Sequence, residues 1–153
     1  MKKLKIGDVI EISTAKGLAY AYYTHKNAMY GYMLRVFRRF YEVRPKEFGE
    51  LMNSEPTFIC FFPLAAAVKE KIVEVVGNVP LSPAAQKFPL FRCGLPAPGE
   101  KKVSDWWLWD GEKSWRVGEI TEEQRKLPIR GIWNDTFLIE RLESDWTPET
   151  DNL

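Results

Sequence analysis

Hydrophobic and polar residues alternate along the first part of the chain in the manner of paired β-strands. The segments LKIGDVIEIS and LAYAYYTH each place apolar side chains on one side of an extended backbone: Leu4, Ile6, Ile10 and Ile12 in the first, and Leu18, Tyr20 and Tyr22 in the second. TAKG, residues 14–17, lies between them and has the composition of a turn. This pattern predicts an antiparallel hairpin.

The strand pattern continues beyond this hairpin. AMYGYMLRVF, residues 28–37, alternates again, and PTFICFFP is an apolar strand bounded by Pro56 and Pro63. The following LAAAVKEKIVEVVGNVP is ambiguous, because its alanines favour a helix and its β-branched residues favour a strand. We interpret residues 71–76 as a strand.

Turn and capping residues separate short predicted elements in the second half of the chain. Residues 80–99 contain five prolines and predict a loop with a short helix over residues 83–87. DWWLW and KSWRVG flank Asp110-Gly111, which predicts a hairpin because glycine tolerates the positive φ of tight turns. Two short helices are expected, one beginning at the capping-box pair Thr121 and Gln124, and one over NDTFLIERL after Asn134 or Asp135.

Together these elements predict a mainly β, α+β fold: a small antiparallel, partly barrel-like sheet with two or three short helices. A length of 153 residues fits a single domain, residues 1–153, built around one core. The polar, acidic residues 146–153 predict a flexible tail.

The opening KIGDVIEISTAKGLAYAYY resembles the start of the immunity protein 26 family, small bacterial proteins associated with polymorphic toxins. The residues that carry this resemblance are Gly7, Asp8, Val9, Ile12, Gly17, Tyr20, Ala21 and Tyr22. It covers about twenty residues, where a Gly-Asp pair enters an apolar strand and a glycine turn leads into a Tyr-Ala-Tyr strand. The resemblance implies a mainly β protein that binds and neutralises a cognate toxin without catalysis, and it supplies no binding residues.

Composition narrows the class of protein. The chain is 45% hydrophobic and 14% aromatic, which excludes a disordered protein, and it has no uncharged apolar run long enough to span a membrane. Charged residues also interrupt its basic N-terminal segment, so we expect a cytoplasmic protein. Cys60 and Cys93 are expected to be buried, reduced thiols, although a single disulfide between them stays open.

Residues that commonly carry chemistry are scarce. His25 is the only histidine, and the segment YTHKN predicts that it lies in a solvated loop after the second strand. No zinc-ligand spacing, phosphate-binding glycine loop or dinucleotide fingerprint is present in the sequence. We therefore expect no catalytic residues, no metal and no cofactor.

The tryptophan-rich hairpin offers a possible contact surface. Alternation places Trp107 and Trp109 on one face of the strand and Trp106 with Leu108 on the other. Either the strand is central and covered on both sides, or one face is open and its indoles anchor a partner. Under the second interpretation, Trp107 and Trp109 are the anchors.

Charge is balanced over the whole chain but uneven along it. The net charge is +1, whereas residues 35–46 carry five positive charges against one negative, and residues 140–151 carry the reverse. In the basic run, Arg35, Arg39 and Tyr41 share a face and form either a contact surface or a solvated edge strand. The acidic run is most simply a frayed end, or else it meets a basic partner such as a nuclease toxin.

The sequence therefore predicts a non-catalytic interaction protein, with a cognate protein toxin as partner and no membrane association. The alternative is a small β-barrel that binds nucleic acid through the arginine and aromatic run. The identity of the toxin, the binding face and the oligomeric state all stay open.

Overall fold

The computed structural model describes residues 3–153, and the chain divides into two compact units. Unit 1 contains the residues up to Lys87 together with Gly131–Asp145, and unit 2 contains Phe88–Arg130 and Trp146–Leu153. Each unit has its own antiparallel sheet. The prediction of a single domain stays a prediction, because two compact units occur within single domains as well as in separate ones.

Unit 1 is built on a five-stranded sheet with the order β4-β3-β2-β1-β5. Its strands are β1 (Asp8–Thr14), β2 (Gly17–Asn27), β3 (Gly31–Tyr41), β4 (Phe58–Phe61) and β5 (Val73–Asn78). All neighbouring strands are antiparallel, and the predicted first hairpin is confirmed by the pairing of β1 with β2. At the outer side of β4, Phe61 forms a parallel bridge with Ile132.

Two strands begin later than predicted because polar side chains hold the preceding residues in turns. Asp8 accepts a hydrogen bond from the backbone N–H of Lys5, so β1 begins at Asp8 rather than at Leu4. The side chain of Asn27 accepts hydrogen bonds from the backbone N–H groups of Met29 and Tyr30, so β3 begins at Gly31. The ambiguous segment forms both elements, since its alanines lie in helix α2 (Leu64–Lys69) and its valines in β5.

Both faces of the unit 1 sheet are covered. One face carries a core that includes side chains of two short helices, α1 (Gly49–Met52) and α3 (Pro83–Gln86), and the buried members of this cluster are Val9, Tyr20, Tyr22, Phe37, Phe48, Met52 and Ala85. Ile10 and Ile12 alternate with these positions and are fully buried on the other face. Helix α2 contacts β5 and helix α5 (Asp135–Glu143) contacts β1.

Unit 2 contains a three-stranded sheet with the order β6-β7-β8. The strands are β6 (Phe91–Cys93), β7 (Trp106–Trp109) and β8 (Ser114–Gly118), joined in two antiparallel pairs. The unit also contains helix α4 (Glu122–Arg125) and a 3-10 helix (Pro148–Thr150). The predicted tail, residues 146–153, contains this 3-10 helix and a buried Pro148; its flexibility stays a prediction.

The predicted fold class is confirmed, with two corrections of detail. The chain is mainly β with short helices, but the described residues form two open sheets and no closed barrel. They also contain five short α-helices instead of two or three, because α1 lies where no helix was predicted and α2 lies in the segment that was ambiguous. The helices expected after Thr121 and Asn134 are confirmed with their predicted caps. No helix within residues 3–153 has the length and apolar character to cross a membrane.

Candidate functional site

The aromatic hairpin of unit 2 is shaped by a turn that its sequence encodes. Asp110 accepts hydrogen bonds from the backbone N–H groups of Glu112 and Lys113, which also holds the pKa of its carboxyl group below the ordinary range. Gly111 has a φ of +100°, and a Cβ atom there would lie 2.8 Å from the ring of Phe88. A residue other than glycine would therefore be both strained and sterically crowded at this turn.

The four indoles of this hairpin divide into two buried and two exposed rings. Trp106 and Trp109 are buried, whereas Trp107 and Trp115 retain 40% and 41% of their accessible surface. In the register of the sheet, Trp107 lies opposite Arg116 and Trp115 lies opposite Leu108. Directly opposed residues share a face, so the two exposed indoles lie on opposite faces of the hairpin.

Of the two indoles named as anchors if one face is open, Trp107 is exposed and Trp109 is buried. They do share a face by alternation, but Phe88 and Phe91 lie against Trp109, each with its ring centroid 5.5 Å from the indole. The guanidinium of Arg130 also lies 5.3 Å from the Trp109 ring centroid. Trp109 is therefore a core residue, and the second exposed indole is Trp115 of β8.

Of the two exposed indoles, Trp115 lies on the outer strand of the small sheet and Trp107 lies on its central strand. β7 is central, and the far side of β6 is covered by a parallel bridge between Arg92 and Ile129, which leaves β8 as the outer strand. Ser114, Trp115 and Arg116 of β8 are all exposed. Arg116 pairs with Asp105, an exposed ion pair of the kind that contributes little to stability.

The basic run does not form the solvated edge strand that was considered for it. β3 lies between β2 and β4, and two of its guanidinium groups donate to backbone carbonyls: Arg35 to Ala85 and Lys87, and Arg38 to Arg141 and Leu142. The predicted contact residues Arg35, Arg39 and Tyr41 thus differ in environment. Arg35 is half-buried, while Arg39 is exposed with its guanidinium 5.2 Å from the half-buried Tyr41 ring.

His25 lies in β2 and not in the loop that was predicted for it. Its Nε2 is 2.9 Å from the carbonyl oxygen of Gln86, and its Nδ1 is 2.9 Å from the hydroxyl of Thr24. Since a carbonyl only accepts, Nε2 carries the proton and Nδ1 accepts from Thr24. Burial and the nearby charge of Arg35 lower the pKa of His25, although its bond to Gln86 opposes this shift.

Both cysteines are buried free thiols, which resolves the open question of a disulfide. Burial raises the pKa of Cys60 and also that of Cys93, so neither thiol has the low pKa of a reactive nucleophile. Within residues 3–153, no group of three or more His, Cys, Asp or Glu side chains is placed to hold a metal ion.

Glu11 is a buried carboxylate in unit 1 that the sequence pattern did not predict. Glu11 accepts two hydrogen bonds from Arg44, at 2.7 and 3.0 Å, and one from the hydroxyl of Tyr20 at 2.9 Å. The bond from Arg44 is the main reason that the pKa of Glu11 is lowered, while burial raises the pKa of Tyr20. The feature of the sequence that could have indicated this burial is alternation, which places Glu11 on the same strand face as Val9 of the core.

No family model, no curated protein and no solved structure matches this chain. The arrangement of its own residues therefore carries the functional argument.

Proposed function

We propose that this protein is a non-catalytic interaction protein whose contact surface is the aromatic hairpin of unit 2. The observation that supports this proposal is the exposure of Trp107 on the central strand β7 and of Trp115 on the outer strand β8. Large aromatic side chains on a rigid strand bury much area on binding and lose little conformational entropy, because each has only two side-chain torsions.

The hairpin is suited to hold these rings in place before a partner arrives. The Asp110 turn, the Phe88 contact at Gly111 and the buried Trp109 all restrict its motion. A surface that is already ordered loses less entropy on association than a mobile loop does. This is the physical reason to place the contact here rather than at a scattered apolar residue such as Leu95.

The resemblance of the first two strands to immunity protein 26 suggests the class of partner. On that basis the protein binds a cognate bacterial toxin and neutralises it by covering a functional surface. The contact is steric, and it requires no group on this chain to transfer a proton or form a covalent bond.

Co-expression with candidate toxin domains from neighbouring genes tests the proposal. The wild-type chain should restore growth, and Trp107→Ala and Trp115→Ala should each weaken binding about 30-fold or more, as expected for interface anchors. Leu95→Ala is the matched control, because Leu95 is an apolar residue of the same unit with 86% of its surface exposed. Circular dichroism of each variant separates lost binding from lost folding.

The proposal fails if wild-type protein rescues growth against none of the neighbouring toxins, or if the two tryptophan variants bind as tightly as Leu95→Ala. The alternative, nucleic-acid binding, rests on the exposed Arg39 beside Tyr41. Titration of single-stranded RNA at two salt concentrations distinguishes it, since phosphate contacts must weaken steeply with salt.

A further inference from the structure

Arg92, in the middle of β6, is a fully buried cation with few partners. Its accessible surface is 0%, and its guanidinium lies 4.5 Å from the ring centroid of Trp106. Its Nη2 donates to the backbone carbonyl of Pro148, whereas its Nε and Nη1 have no hydrogen-bond partner among residues 3–153. Buried N–H groups of a charged side chain are costly to leave unpaired, so these donors require an explanation.

A second arginine holds the same stretch of chain. From helix α4, Arg125 donates to the backbone carbonyls of Glu149, Asp151 and Leu153 at 3.2, 2.8 and 2.9 Å. Arg92 and Arg125 thus bind four carbonyls of residues 146–153, a segment that we call the strap. Two cationic side chains that converge on one short segment resemble the way proteins bind an anion, with main-chain oxygens of the strap in the anion's place.

A carboxylate lies near Arg92 and partly offsets its charge. The nearby carboxylate of Asp151 accepts from the Trp146 indole and from the backbone N–H of Leu153. Burial, with a further contribution from the charge of Arg125, lowers the pKa of Arg92 to about 10. Carbonyl dipoles offset a buried positive charge less completely than a negative ion does, so this site favours an anion.

We propose that Arg92 and Arg125 form a binding site for an oxyanion, a phosphate or carboxylate group, and that the strap occupies this site until the ligand displaces it. The strap carbonyls imitate the ligand oxygens. When the strap lifts, the unpaired donors of Arg92 become available to a ligand that carries a full negative charge. The site uses neither Trp107 nor Trp115, the exposed indoles of the contact surface proposed above.

Hydrogen exchange of the strap amides tests this competition in the full-length protein. Sodium phosphate and sodium acetate are each compared with sodium chloride at equal ionic strength and pH 7. Phosphate should raise strap exchange in a saturable manner by about tenfold, the effect of shifting the strap equilibrium by a factor of ten. A response to phosphate alone assigns a phosphate ligand, and a response to acetate as well adds carboxylates; both results support the site.

Two variants connect the response to the arginines. Arg125→Gln should remove the phosphate dependence, whereas Arg130→Gln, an identical substitution in the same unit over the Trp109 ring, should retain it. Asp151→Asn weakens the strap's own contacts and should lower the phosphate concentration needed for half of the effect. The proposal is overturned if phosphate leaves strap exchange unchanged in both the wild type and Asp151→Asn, or if Arg125→Gln responds as the wild type does.

Discussion

Replacing Glu11 by glutamine tests how the buried ion cluster stabilises unit 1. The substitution keeps the shape of the side chain but removes the charge that receives three hydrogen bonds, two from Arg44 and one from Tyr20. An amide can still accept from Tyr20, yet its NH₂ group then faces the guanidinium. Because hydrogen bonds to a buried charged group contribute about 1.5–3 kcal/mol, we expect the free energy of unfolding to fall by about 2–3 kcal/mol.

Glu74→Gln is the matched control. Glu74 also bonds to Arg44, at 3.2 Å, but it is exposed, so its removal should cost at most about 1 kcal/mol. The assay is amide exchange of β1 and β2 at pH 7. Protection should fall about 30- to 150-fold in Glu11→Gln and at most about fivefold in Glu74→Gln. Equal losses in the two variants would refute the role of burial.

The same pair of variants gives a pH dependence with a defined sign. The pKa of Glu11 lies below its ordinary value in the folded protein, so its contribution is complete above the unfolded-state pKa and is lost as pH falls through the folded-state pKa. Wild-type unit 1 should therefore lose more stability than Glu11→Gln on acidification from neutral pH through that range. Parallel pH profiles would contradict this assignment.

Three further predictions follow from the structure. Trp109→Ala should lower the free energy of unfolding in urea by about 3–5 kcal/mol, because Phe88 and Phe91 pack against Trp109. The loss should exceed that of Trp107→Ala, since Trp107 is 40% exposed. Equal losses would contradict the assignment of Trp109 to the core. Gly111→Ala should cost about 1–3 kcal/mol and increase amide exchange in the hairpin, and unchanged exchange would show that the turn tolerates a Cβ atom. NMR titration of His25, the only histidine, should give a pKa below 6.5. The folded state then favours the neutral ring, so the free energy of unfolding falls as pH drops below the unfolded-state pKa. Amide exchange near Gln86 should therefore rise in acid, but not in His25→Gln.

Local features of this protein could be predicted from the sequence because they depend on neighbouring residues. The Asp110-Gly111 turn, the Thr121 capping box and the Asn134 cap each use a side chain that bonds to backbone within three residues. Alternation likewise predicted correctly that Trp107 and Trp109 share a face. A hydrogen bond between residues this close in sequence is nearly the same in any fold, and so is the alternation of side chains along a strand.

The environment of each face was decided by tertiary structure. Alternation does not show which residues cover a face, so it could not predict that Phe88 covers Trp109, or that β4 pairs outside β3 and leaves Arg35 half-buried. The strap over Arg92 joins positions more than fifty residues apart. Such contacts depend on which distant segments meet, and the free energy that selects them is summed over the whole core rather than encoded in any short stretch of sequence.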